Sequence, residues 1–223
     1  MEAKTQINKD YRIKLIYMSN NNLFIVTAPS GSGKSSLIKA LLKDNKSISL
    51  SVSYTTRKPR VGERNGVDYY FVTIEDFLKM RNNNEFVEWA EVHNNFYGTH
   101  KSFVNNRDVK NNDIVVEIDF QGSDQIKNYY PDAIRIFILP PSIEELRNRL
   151  ILRALDSMEV IERRLSVAKS EIMHAKDYDY VIINSDFNLA LSEINYIIKS
   201  TKLRFQYQYL KNKNLFNKLG IAY

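Results

Sequence analysis

The stretch LFIVTA (residues 23–28) followed by PSGSGKSSLIKALL (29–42) decides the fold of this chain. An apolar strand runs into a glycine-containing loop, and the loop runs into an amphipathic helix that begins near Lys34 and Ser35. The pattern matches G-x-x-x-x-G-K-[ST], except that Ala28 holds the first glycine position, where a methyl group requires ordinary backbone dihedrals. Successive loop N–H groups and the positive end of the helix dipole would face one anion. The stretch therefore predicts a phosphate-binding loop.

Two side chains of this loop have defined tasks in the pattern. Lys34 would reach the β- and γ-phosphates of a nucleoside triphosphate, and the Ser35 hydroxyl would ligate Mg²⁺. The loop as a whole, called the P-loop below, is assigned to those phosphates: Ala28, Pro29, Ser30, Gly31, Ser32, Gly33, Lys34, Ser35 and Ser36.

Composition and length restrict the class of protein. The 223 residues are enough for one sizeable core with small inserted lobes, and the absence of cysteine excludes disulfides and thiolate metal sites. No apolar run approaches the roughly 18 residues of a membrane span, and no secretory signal pattern is present, so we expect a cytoplasmic protein without a membrane partner. The net charge of +6 is compatible with nucleic acid and with anionic nucleotides. Arginines at defined motif positions favour nucleotides.

Apolar strand-like runs alternate with helical patterns along most of the chain, which predicts a parallel sheet with helices on both faces. Beyond the first strand, the predicted strands of this sheet are 47–53, 113–119, 133–139 and 179–184. One long helix that includes Leu203 and Phe205 is expected to close the chain. The segment 54–105 breaks the rhythm, with a basic loop at 55–68, a strand at 68–72, a capped helix at 73–84, a half-buried strand at 85–92 and a turn at 94–99.

Three further segments decide the substrate: SVSYTTRKPRVGERNGVDYYF (51–71), EFVEWAEVHNNFYGT (85–99) and EIDFQG (117–122). In this order after APSGSGKSS (28–36), they resemble guanylate kinase, the family that phosphorylates GMP to GDP with ATP. The resemblance runs from about Leu23 to Lys202, and T-T-R-x-P-R-x-G-E-x-x-G-x-D-Y is much more specific than the P-loop alone. It implies an enzyme of purine nucleotide metabolism that uses ATP, Mg²⁺ and GMP, with dGMP as a further acceptor. Monomer and homodimer both stay open.

The resemblance also implies a division of the chain. The fold would be an α/β P-loop NTPase-type parallel sheet flanked by helices, with an inserted mixed α/β lobe for GMP and a helical lid. The expected parts are an N-terminal extension (1–21), a P-loop core (22–53, 106–148 and 170–223), the GMP-binding lobe (54–105) and the lid (149–169).

Arg57 and Arg60 lie three residues apart on a proline-containing loop and can clamp a doubly charged monophosphate. Tyr69 and Tyr97 offer neutral hydroxyl donors to the remaining phosphate oxygens. In similar enzymes the residues that match these four hold the GMP phosphate.

Guanine requires a different set of partners. Its N1–H and N2 amino groups are donors and need a carboxylate, which Glu88 supplies from a predicted strand, whereas adenine would leave that carboxylate unpaired. Ser53, Thr99 and Asp119 complete the set carried over from the family. Asp119 also suits Mg²⁺ through a water molecule, so two roles stay open for it.

The acceptor is already an anion, so catalysis should consist of positioning and charge neutralisation during in-line transfer. The family resemblance implies that arginines of the lid supply charge, and the matching residues here are Arg149, Arg153 and Arg164. This chain has Leu152-Arg153-Ala154 where the family usually has Gly-Arg-Gly, so the hinge must lie elsewhere. Asn184 matches a residue that lies near the adenine in similar proteins, although a turn-forming role is the alternative.

Three other functions compete with this one. A non-catalytic guanylate-kinase-like module that binds protein partners would usually lack an intact P-loop. A nucleic-acid-binding protein is suggested by the charge and by KLRFQYQYLKNKNLF (202–216), which a helix packed on the core also explains. A monophosphate kinase for another base is disfavoured by Glu88 and Ser53.

Overall fold

The computed structural model describes residues 21–92, 94–105, 112–152 and 157–221. The strands of these ranges are β1 (Leu23–Thr27), β2 (Ile48–Ser51), β3 (Tyr54–Thr55), β4 (Tyr70–Phe71), β5 (Phe86–Val92), β6 (Asn95–His100), β7 (Asp113–Glu117), β8 (Ile134–Leu139) and β9 (Tyr180–Ile183). The α-helices are α1 (Lys34–Asp44), α2 (Ile74–Asn82), α3 (Lys101–Asn105), α4 (Phe120–Tyr129), α5 (Ile143–Leu152), α6 (Met158–Ile172), α7 (Phe187–Thr201), α8 (Phe205–Lys211) and α9 (Lys213–Lys218), and a 3₁₀ helix covers Met173–Asp177.

The central sheet is parallel, with strand order β2-β7-β1-β8-β9. All five residues of β1 are buried, and successive side chains point to opposite faces of the sheet. Phe24 and Val26 pack with α1 and α7 on one face, whereas Leu23 and Ile25 pack with α4 on the other. The predicted α/β fold class is confirmed, and the two buried faces explain why β1 is apolar from Leu23 to Val26.

A second sheet has strand order β4-β3-β6-β5 and occupies part of the segment that interrupts the alternation. β5 and β6 form an antiparallel pair, and an aromatic cluster fills the space between them and α2. Phe77 of α2 stacks on Phe86 at 4.6 Å and on Phe96 at 5.4 Å between ring centroids. Val87 of β5 instead joins the core beneath the central sheet, so this sheet is attached to the core through β5.

Two secondary-structure predictions were wrong. Residues 94–99, predicted as a turn, lie largely in β6, because they pair with β5 on one side and with β3 on the other. The single C-terminal helix is three helices. The chain leaves α7 after the buried Thr201, and Arg204 is extended. α8 and α9 have no buried residue, and the rings of Phe205, Tyr209 and Phe216 contact one another.

The helix predicted at 73–84 begins at a side-chain cap, and α5 begins at a cap of the same kind. The Thr73 hydroxyl accepts a hydrogen bond from the Asp76 N–H at 3.0 Å, and the Ser142 hydroxyl accepts one from the Glu145 N–H at 3.0 Å. Among the described residues, no helix combines the length and the apolar composition that crossing a membrane requires.

Candidate active site

A cleft of about 330 Å³ lies between the carboxyl edge of the central sheet and the second sheet. Carboxyl ends of parallel strands meet at one edge, which brings the residues after β1, β2 and β7 together. The side chains and loops that line the cleft come from sequence-distant elements: residues 28–35, Ser53, Arg60, Tyr69, Glu88, Ala90, Val92, Tyr97, residues 117–119, Arg164 and Glu171.

The P-loop wraps the start of α1 and depends on two glycines. Gly31 and Gly33 have φ of 95° and 90°, in the left-handed region that favours glycine. A Cβ at Gly33 would lie 2.5 Å from Nδ2 of Asn184, and one at Gly31 would lie 2.9 Å from Leu146. Ala28 is not among the described non-glycine residues with positive φ, so its backbone meets the requirement that a methyl group sets at this position.

Lys34 and Ser35 both face the end of β7. The Lys34 ammonium donates a hydrogen bond to the Ile118 carbonyl at 3.1 Å and lies 4.0 Å from the Glu117 carboxylate. The Ser35 hydroxyl donates to Glu117 Oε1 at 2.5 Å. Ser36 is exposed and does not line the cleft.

Glu117 was missed by the sequence reasoning, which assigned Mg²⁺ to Ser35 and Asp119. The signal was a carboxylate at the last position of a buried strand adjacent to β1. Asp119 lines the cleft as well, but it also caps α4, because its Oδ1 accepts a hydrogen bond from the Gly122 N–H at 2.9 Å.

Three of the four predicted GMP-phosphate residues lie on one wall of the cleft. Arg60, Tyr69 and Tyr97 line it, and the two tyrosine rings meet edge to face at 6.0 Å. Arg57 does not line the cleft, and its guanidinium lies 5.4 Å from the Tyr69 ring centroid. It makes two hydrogen bonds to the Glu63 carboxylate, at 2.8 and 3.0 Å.

Glu63 therefore organises this loop, a role that the sequence reasoning did not assign. Its Oε2 also accepts a hydrogen bond from the Arg60 N–H at 2.7 Å, so one carboxylate joins both arginine positions. Burial raises the pKa of Tyr69 to about 12, so the Tyr69 hydroxyl keeps its proton and can donate it in a hydrogen bond.

Glu88 is a buried carboxylate in the floor of the cleft, and only 3% of its surface is exposed. Its Oε1 accepts a hydrogen bond from the Thr99 hydroxyl at 2.5 Å, and Thr99 is itself fully buried outside the cleft lining. Burial raises the pKa of Glu88 to about 7; the Thr99 hydrogen bond lowers it and the Asp119 charge raises it further. Ser53 lies in the same cleft.

A β-bulge aims Glu88. In the β5–β6 pairing, Phe86 is opposite His100 and Glu88 is opposite Thr99, so Val87 is an extra residue. Phe86 packs in the aromatic cluster and Val87 in the core, and the bulge places Glu88 beside Thr99 with its side chain in the cleft. The predicted alternation holds only beyond the bulge, where Trp89 and Glu91 are exposed and Ala90 is buried.

Of the remaining predicted residues, one lines the cleft and two lie close to the P-loop without lining it. Arg164 of α6 lines it, and Arg153 lies outside the described residues. The Asn184 amide donates to the Ser32 carbonyl at 2.7 Å, which places it against the back of the P-loop. Arg149 donates to the Asn184 carbonyl at 3.0 Å and to Glu145 at 2.8 Å.

Glu171 is a further carboxylate of the cleft, and no sequence signal identified it. Burial raises its pKa, while Lys34 lowers it, Asp119 raises it and a hydrogen bond from the Ser30 backbone lowers it. Glu171 is therefore a partly buried acid of α6 that lies beside the P-loop.

Comparisons with known proteins identify the family of this chain. The family model described as guanylate kinase matches residues 20–201. The chain is 49% identical over 202 residues to a guanylate kinase of Bordetella pertussis, covering 91% of this chain and 94% of that protein. It is 50% identical over 198 residues to a guanylate kinase of Methylobacillus flagellatus, covering 89% and 98%.

A solved structure also matches. The crystal structure of guanylate kinase from Anaplasma phagocytophilum superimposes with a TM-score of 0.74 at 33% identity, covering 91% of this chain and 97% of that one. The matched family model, the two relatives and this structure all span most of the chain. This protein belongs to the guanylate kinase family.

Proposed function

We propose that the protein transfers the γ-phosphoryl group of ATP to GMP and releases ADP and GDP. One observation carries this proposal: a single cleft joins a P-loop to a buried carboxylate suited to guanine, with arginine and tyrosine side chains between them. Family membership supports the same reaction.

Guanine would be read by Glu88. The carboxylate would accept hydrogen bonds from N1–H and from the N2 amino group, and Thr99 holds one of its oxygens in place at 2.5 Å. Ser53, whose side chain shares the cleft, is assigned to the base as well. Because Glu88 is buried, a base without those donors would leave it unpaired, which is the most effective form of discrimination.

The GMP phosphate would lie against Arg60, Tyr69 and Tyr97, which line one wall. Arg57 would reach it from its present position over the Tyr69 ring, with Glu63 fixing the direction of its guanidinium. A planar guanidinium with several donors suits two phosphate oxygens at once.

The ATP phosphates would lie on the P-loop N–H groups, with Lys34 at the β- and γ-phosphates. The Ser35 hydroxyl and the Glu117 carboxylate, which share a hydrogen bond, supply oxygen atoms of the kind that Mg²⁺ prefers, so both would hold Mg²⁺ beside these phosphates. The described residues contain no group of three or more His, Asp or Glu side chains that could hold a metal alone, so phosphate and water oxygens would complete the ligand set. Asp119 would act through such a water.

The acceptor oxygen of GMP already carries charge, so no general base is required. Lys34 and the P-loop N–H groups would stabilise charge on the donor phosphates, Arg164 would face the transferred group, and bound Mg²⁺ would neutralise further charge. Arg153 is proposed for the same task from the family motif alone. Residues 149–169 would act as a lid and 54–105 as a GMP-binding lobe, and their closure would exclude water.

The test is a coupled assay in which ATP and Mg²⁺ are offered with GMP, dGMP, AMP, CMP and UMP in turn. We expect ADP and the diphosphate product with the guanine nucleotides alone, and loss of turnover in Lys34→Ala and Arg57→Ala. Binding of GMP without turnover by the unaltered protein would refute the proposal and favour the non-catalytic module.

A further inference from the structure

The carboxylate of Glu88 is in contact with a helix of the core as well as with its own sheet. Gly122, in the first turn of α4, lies so close that a Cβ there would be 2.7 Å from Glu88 Oε2 and 3.1 Å from Cδ. An ordinary side chain at position 122 would therefore overlap the carboxylate. Thr99 holds the other oxygen, Oε1, at 2.5 Å, so Glu88 is confined between β6 and α4.

The same helix also fixes the backbone next to Glu88. The side-chain amide of Gln125 accepts a hydrogen bond from the Trp89 N–H at 3.2 Å and donates one to the Trp89 carbonyl at 3.0 Å. β5 is an edge strand of its sheet, so these two groups would otherwise lack a strand partner. Gln125 thus pairs with the edge of β5 as a neighbouring strand would.

These contacts are independent of the sheet that carries Glu88. The β-bulge at Val87 aims the side chain, and Thr99 belongs to the paired strand. Gly122 and Gln125 instead belong to α4, which begins immediately after Asp119 at the P-loop edge. A helix of the core therefore sets where the carboxylate stands relative to the ATP side of the cleft.

We propose that Gly122 and Gln125 are specificity-determining positioning residues, which hold the Glu88 carboxylate at the distance that guanine requires. This inference rests on the proposed reading of guanine by Glu88. Gly122 would leave room for the carboxylate, and Gln125 would keep β5 from sliding along α4. Neither residue needs to touch the nucleotide.

IMP is the probe that separates position from folding, because it lacks only the 2-amino group of GMP. Dissociation constants of GMP and IMP would be measured by calorimetry for the unaltered protein, Gly122→Ala and Gln125→Ala. A hydrogen bond to a charged group is worth roughly ten- to a hundredfold in affinity, so the unaltered protein should prefer GMP by at least about tenfold. Asn128→Ala removes an exposed carboxamide from the same helix and serves as the control.

In Gly122→Ala we expect the preference for GMP over IMP to fall at least about fivefold, because the displaced carboxylate loses the contact that IMP does not make. Gln125→Ala should lower it less, and Asn128→Ala should leave it unchanged. ATP affinity should stay the same in all three. If Gly122→Ala does not fold, the preference of Gln125→Ala for GMP over IMP tests the inference.

Unchanged preference in the folded variants, together with a clear preference in the unaltered protein, would overturn this inference and leave the proposed function intact. Equal affinity of the unaltered protein for GMP and IMP would contradict the guanine contact of Glu88 itself, and the inference would fail with it.

Discussion

Replacing Glu88 by glutamine should weaken GMP binding and stabilise the protein at the same time. A glutamine presents one acceptor and one donor to the two donors of guanine, so at least one charge-assisted hydrogen bond is lost. Such a bond contributes about 1.5–3 kcal/mol, and the unpaired guanine donor adds to the loss. We therefore expect the KM for GMP to rise roughly a hundredfold, with the KM for ATP unchanged.

The stability change follows from the pKa. Burial raises the pKa of Glu88 from 4.5 to about 7, so the folded state favours the protonated acid. The folded protein consequently loses stability as the pH rises from about 4.5 to about 7, and the loss is complete above that range. The shift corresponds to about 3 kcal/mol at pH 8 and to about 1 kcal/mol at pH 5.

Glutamine removes this cost and can still accept the Thr99 hydrogen bond. In the absence of nucleotide, calorimetry should show a higher Tm for Glu88→Gln at pH 8, by about 6–12 °C at most, and a smaller difference at pH 5. Glu91→Gln, which changes an exposed carboxylate of the same strand, is the control. A Tm difference that does not depend on pH, or a GMP affinity within about threefold of the unaltered protein, would refute the reasoning.

Two further predictions concern the two halves of the cleft. Guanosine, which lacks the titrating phosphate, should inhibit more strongly as the pH rises from 6 to 8, because Glu88 must ionise to accept both guanine donors; a flat inhibition profile contradicts this. Asn184→Ala should weaken binding of Mg²⁺-tripolyphosphate about fivefold in calorimetry, because the P-loop loses the amide that holds the Ser32 carbonyl. Unchanged tripolyphosphate affinity with weakened ATP binding would instead place Asn184 at the adenine.

Several features were predictable from sequence because a local pattern determines them. Four of the five residues of β1, Leu23 to Val26, are apolar, as expected for a strand that is covered on both faces. The helix starts at Thr73 and Ser142 are recognisable in the sequence, because each cap residue bonds to a backbone N–H only three positions later. The P-loop glycines were predictable for the same reason.

The errors come from features that depend on distant partners. Residues 94–99 contain two Asn and one Gly, which are typical of turns, but pairing on both sides makes β6 a strand. The C-terminal helix was predicted to continue through Leu203 and Phe205. The apolar spacing continues past Thr201, but the buried part of the helix ends there, and spacing alone does not show this.

The site shows the same limit. Glu117 and Asp119 lie two residues apart at the end of β7, so the sequence does not show which of them meets Ser35. Only the position of α1 shows that the Ser35 hydroxyl contacts Glu117. The bulge at Val87 reverses the alternation that places Glu88, and the contact of Gly122 with its carboxylate joins residues of two separate elements. No local pattern encodes these relations.

The most direct test of the central claim is a crystal structure of the complex with GMP. We expect guanine N1 and N2 at about 3 Å from the two Glu88 carboxylate oxygens, with the phosphate held by Arg57, Arg60, Tyr69 and Tyr97. Guanine bound away from Glu88, or a phosphate that contacts none of these side chains, would contradict it.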